Sequence, residues 1–129
     1  MELARSRGNA FAEAILAVNC LQVNAYAGVV AGTAEESAAL VDALTASGAV
    51  DLVGSARLIG AWARGLERDG PDTSGEFRDA LVLHTSGGMQ IFLPFYLRLL
   101  SEVEHVHGHA DDSRSSLHRA VLTARANAE

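Results

Sequence analysis

Apolar residues in this chain recur at three- and four-residue intervals in one segment after another. The two-residue alternation of a half-buried strand is almost absent. At about 100° per residue, Phe11, Ile15, Val18, Gln22, Ala25 and Val29 share one arc, and Leu52, Ala56, Ile59, Ala63 and Leu66 share another. Strand evidence is thin: Ala80 to Leu83 form a short apolar run, and they continue a helical stripe equally well. The pattern predicts an all-α fold.

Capping signals divide the chain into about five helices. A long first helix is expected over 9–31, with Asn9 as N-cap and Gly32 just past its end. Its opposite side carries Ala17, Cys20, Asn24, Ala27 and Ala31, small residues that suit a central helix approached closely by a neighbour. Thr33 and Glu36 have the spacing of a capping box, which opens a second helix running to about Ser47 before Gly48. Asp51 begins a third, bordered by Trp62, in which Gly54, Gly60 and Gly65 lower intrinsic stability but permit tight packing.

The stretch Gly70 to Gly75 is a loop. A fourth helical region covers roughly 76–106, broken or bent near Gly87-Gly88 and Pro94. The last helix begins between Asp111 and Ser113, with Leu117, Ala120, Val121 and Ala124 turned inward. Neither side of the loop is long enough for a separate domain, so 1–129 reads as one helical domain with a single core.

Hydrophobic residues make up 49% of the chain and charged residues 20%, an apolar balance for a small domain. Part is alanine; the remainder favours burial against a second copy, and a homodimer is expected. Net charge is −6, and all ten cationic residues are arginines, scattered without a dense basic patch, so nucleic-acid binding is not expected. Lysine-free usage with abundant Ala and Gly fits a GC-rich bacterial genome.

The lone Cys20 cannot close an internal disulfide, and it is expected to be a packed, inert thiol in a reducing, cytoplasmic setting. No signal peptide is evident. Glu13, Asn19, Gln22 and Asn24 interrupt the most apolar segment, which argues against a membrane span.

Two polar residues stand out because each falls in the middle of an apolar stripe. Gln22 does so on the first helix. His84 does so among Phe77, Leu81, Gly88, Ile91 and Phe95, if one helix carries them all. Both are expected to be buried in one polar cluster. Asn19, Gln22 and Tyr26 form an i, i+3, i+7 ridge, with Trp62, Phe92 and Phe95 as apolar walls. Such a site between helices suits a soluble domain that binds a small, largely apolar molecule or a protein partner. The alternative is a small cofactor-independent enzyme of the isomerase, cyclase or dehydratase type. It would use His84 as general acid or base, with Tyr26 beside it. No cofactor is expected in either case.

Two other patterns carry less. The run from His105 to Asp112 has the residue types of a metal site. However, His105 and His107 on one helix would point roughly 200° apart. Last-turn histidines, Gly108 and acidic residues also make an ordinary helix junction, so no specific metal is expected there. His84 to Gly88 resembles the nucleophile elbow of α/β-hydrolases over five residues, with histidine for the first glycine, Ser86 as nucleophile and Val82-Leu83 as the preceding strand. The parallel strands that such an elbow needs are not visible.

Overall fold

The computed structural model describes residues 2–86 and 92–128, with side chains from residue 9 onward in those spans. Its regular structure is entirely helical: α1 (Glu2–Ala27), α2 (Thr33–Ser47), α3 (Val50–Leu66), α4 (Ser74–Ser86), α5 (Leu93–Val106) and α6 (Ala110–Ala128). The all-α bundle expected from periodicity is present, with six helices among the described residues where about five were expected. The region 76–106, expected to be broken or bent, carries two helices, α4 and α5. Gly87 and Gly88 lie outside the described residues. Pro94 sits in the first turn of α5, where no intrahelical N–H is needed, so it opens a helix instead of kinking one. Val82 and Leu83 lie within α4, which removes the strand of an elbow. Among the described residues no helix is long and apolar enough to cross a membrane.

Local chemistry sets the ends. α1 stops four residues earlier than expected, because Gly28 takes φ 77° and the Val29 amide returns to Asn24 O at 2.8 Å. Asn9 is inside α1, not at its start. The expected capping box at Thr33 does not form. The buried Thr33 hydroxyl donates back to Val29 O at 2.7 Å, and the Glu36 carboxylate accepts from Asn24 Nδ2 at 3.4 Å. At the start of α4, Asp72 Oδ1 accepts from both the Ser74 amide (3.0 Å) and its hydroxyl (2.6 Å). Those bonds, together with His109, hold the Asp72 carboxyl well below the usual carboxylate range.

The central element is α3, not α1. It packs against α1, α2, α4 and α5, and from Leu58 to Ala63 every residue is buried. Only Val50, Asp51 and Arg57 of α3 are exposed, so the helix is covered over most of its length. Its small residues admit side chains from its neighbours. A Cβ on Gly54 would lie 2.8 Å from His84 Nδ1; one on Gly60 would collide with Ser37 Oγ; one on Gly65 would lie 2.5 Å from Thr73 Oγ1 and 3.0 Å from Val103. These close approaches also bring hydrogen bonds to α3 carbonyls. The Ser37 hydroxyl donates to Ala56 O, Thr73 to Ala61 O at 2.6 Å, and His107 Nε2 to Gly65 O at 2.8 Å. Since a carbonyl only accepts, the proton of His107 in this contact is on Nε2.

Among the described side chains of α1, Val18, Leu21 and Ala25 are buried; Phe11 and Ile15 are exposed, as is Val29 just past the helix end. The face is rotated from the expected arc because α1 is apolar through more than half its circumference, so periodicity alone does not fix which part meets α3. The small-residue side of α1 is not a packing face, and Cys20 is exposed, not packed. On α6 the inward residues are Ser113, Ser116 and Ala120, whereas Leu117 and Val121 are 45% and 48% exposed. Polar groups decide that orientation. Glu104 on α5 is 1% exposed, and it accepts from Ser116 Oγ at 2.6 Å and from Arg78 at 2.6 Å, while Ser113 Oγ donates to Ser101 O at 2.9 Å. Turning Leu117 inward would leave that carboxylate without its α6 donor.

The junction from His105 to Asp112 is a helix end, a turn at Gly108 (φ 82°) and a helix start. Its histidines diverge. His105 is exposed, His107 reaches α3, and His109 Nε2 meets Asp72 Oδ2 at 2.6 Å. Among the described residues no three His, Cys, Asp or Glu side chains gather as a metal site would need.

The Glu104 network makes an asymmetric prediction. Arg78→Met leaves a buried carboxylate with one hydroxyl donor, and it should cost roughly 3 kcal/mol in urea unfolding. Glu104→Gln keeps an acceptor for Ser116 and leaves Arg78 free to hydrate, so it should cost about 1 kcal/mol. Equal costs would show that the carboxylate is less buried than the structure places it.

A groove between α1 and α5

Both α1 and α5 rest on α3, and between them runs a groove of about 490 Å³. From α1 it is lined by Asn19, Gln22, Val23, Tyr26 and Ala27; Phe92 and Phe95, at the start of α5, form the opposite wall. Helical spacing accounts for the α1 side: positions 19, 22, 23, 26 and 27 are the i, i+3, i+4, i+7, i+8 neighbours of one stripe. The structure therefore brings together Asn19, Gln22, Tyr26, Phe92 and Phe95 from the residues singled out in the sequence. Tyr26 and Val23 are 73% and 65% exposed, so the groove is open along its length. The Tyr26 and Phe95 rings stand 6.3 Å apart and tilted by 34°.

Beneath the groove lies Tyr96, fully buried and not picked out by the sequence. Gln22 Nε2 donates to its hydroxyl at 3.2 Å, and that hydroxyl donates to Ser55 Oγ on α3 at 3.0 Å. One Gln22 N–H is thereby fixed, and the amide carbonyl has no partner among the described residues. Phe95 packs on Tyr96 at 5.4 Å, while His84 and Tyr96 meet in a T-shaped contact, 5.3 Å between centroids at 84°. Gln22 and His84 thus share a neighbour without sharing a hydrogen bond, and both are half-buried, not buried as expected. His84 does not line the groove. It fits over Gly54, and desolvation there lowers its pKa below the ordinary 6.5.

A single helical phase from Phe77 to Phe95 leaves Tyr96 outside the apolar stripe. With α4 ending at Ser86 and α5 starting at Leu93, the phase resets, and the α5 stripe becomes Leu93, Tyr96, Leu97, Leu100 and Val103. Pro94, read as a helix opener, was the signal available. Trp62 is not part of the groove. It is fully buried in the core, its Nε1 donating to Glu102 Oε2 at 2.7 Å.

The lowered His84 pKa gives a signed expectation. The unfolded chain binds this proton more readily, so the stability contribution is fully present above pH about 6.5 and is lost as pH falls through the lower folded value. His84→Gln should remove that increment. Urea midpoints at pH 5 and pH 7.5 should lie closer together in the variant than in the parent. A parent more stable at pH 5 through His84 would reverse the assignment.

The chain matches no protein-family model, and comparison with curated proteins and with solved structures finds no similar protein.

Proposed function

We propose that this chain is a binding module that takes a small, largely apolar molecule into the groove between α1 and α5. The observation that carries the reading is the lining itself. Five apolar or aromatic side chains and two amides line an open groove whose volume is within the range of small-ligand sites, and the Tyr26 and Phe92 rings are exposed. Covering them removes apolar surface from water at about 25 cal/mol per Å², while Gln22 offers a fixed carbonyl to a hydroxyl or amide on the ligand. The enzymic alternative requires His84 to touch the groove's contents. His84 instead packs on Gly54 and Tyr96, which favours binding over proton transfer.

A protein partner is the second reading, and a different observation favours it. Phe11, Ile15 and Leu16 continue the exposed apolar surface of α1 away from the groove, so that with Val23 and Tyr26 it runs about 22 Å. A second copy could cover that length, in keeping with the expected homodimer.

A neutral polarity-sensitive dye, Nile red, tests the first reading. It should bind saturably at one site, and Tyr26→Glu and Val23→Glu should each weaken it at least tenfold. Leu122→Glu, an exposed apolar position on α6, should leave the affinity unchanged. Equal loss in all three variants would show general surface adsorption and end the groove reading. For the second reading, sedimentation at micromolar concentration should show a dimer that Leu16→Glu dissociates without loss of dye affinity. A monomeric parent would remove it.

A further inference from the structure

Resting on the groove reading, we infer that the ligand is an amphipathic organic anion, its apolar body in the groove and its carboxylate on Arg98. Arg98 lies one turn beyond Phe95 on α5. Its guanidinium carbon is 5.4 Å from the Tyr26 ring centroid and 5.6 Å from that of Phe95, the two aromatic residues that face each other across the groove. The cation therefore lies within cation–π distance of two groove rings, and its N–H edges meet no oxygen acceptor in that contact.

Those edges are poorly used within the chain. Arg98 Nε is buried and makes no hydrogen bond among the described residues; Glu102 Oε1, the carboxylate oxygen paired with it, is 3.8 Å away. Glu102 is not free to close that gap, because its other oxygen accepts from the immobile Trp62 Nε1 at 2.7 Å. Three other arginines approach carboxylates more closely: Arg78 reaches Glu104 at 2.6 Å, Arg114 reaches Asp111 at 3.1 Å, and Arg64 binds Glu76 directly. Arg98 is a positioned cation whose hydrogen-bonding capacity is largely unspent, at the edge of an apolar groove. A carboxylate matches the guanidinium fork in geometry and charge. An alcohol matches neither, and an ammonium is repelled.

The experiment compares decanoate with decanol, equal in chain length and different in head group, as competitors of Nile red at pH 8 and below micellar concentrations. Decanoate should bind at least tenfold more tightly, and the preference should shrink as salt is raised. Arg98→Gln should bring the two within about twofold by weakening decanoate alone. Arg98→Lys should keep part of the preference, because it retains the charge and loses the fork. Equal affinities in the parent protein, or a preference that survives Arg98→Gln, would overturn the anion inference and leave the groove reading standing. Failure of both compounds and of the dye to bind would overturn the groove reading and this inference with it.

Discussion

The close approach that α3 permits is the constraint on which the other helices depend. Glycine at 54, 60 and 65 lets His84, Ser37 and the Thr73–Val103 pair come within contact of the α3 backbone. Three of the side chains that surround the helix also hydrogen-bond its carbonyls. Glycine in a helix interior costs up to about 1 kcal/mol of propensity per position, and here packing and hydrogen bonding offset that cost. The result is a largely buried helix, against which α1, α2, α4 and α5 are each set at a fixed depth. α6 is one step removed, seated on α5 by the Ser113 and Ser116 hydroxyls.

The groove is a consequence of that arrangement. α1 and α5 both pack on α3, and Tyr96 is buried beneath the groove between them, its hydroxyl tied to Ser55 on α3 and to Gln22 on α1. It supports the wall carrying Phe95, fixes the Gln22 amide and gives His84 an aromatic contact. A tyrosine can do this because its ring packs like an apolar side chain while its hydroxyl requires a partner when buried.

Polar side chains, and not apolar ones, set the rotation of the outer helices. On α6 a serine pair faces inward because a buried carboxylate needs a donor, even though the same turn could have presented leucine and valine. On α1 the apolar surface is wide enough that neighbouring helices, not periodicity, select the buried part, and the surplus stays on the surface. The exposed row from Phe11 to Tyr26 is that surplus, and its continuity with the groove is why the two binding readings share one helix.

By itself the sequence determined the all-α class, the loop between α3 and α4, the junction at Gly108, and the tight packing allowed by the α3 glycines. These are local properties, set by residue spacing, caps and the absence of a Cβ. It also named five of the seven groove residues, because four-residue spacing on α1 survives whatever that helix packs against. Tertiary structure alone decided the rest. Which of two apolar arcs on α1 is buried, that α3 and not α1 is central, and that α4 and α5 have independent phases all depend on contacts between distant segments. Tyr96 and Arg98 were illegible for the same reason. A buried tyrosine and an ordinary arginine gain their roles from Ser55, Gln22 and Tyr26, which lie 41 to 74 residues away along the chain or on another helix.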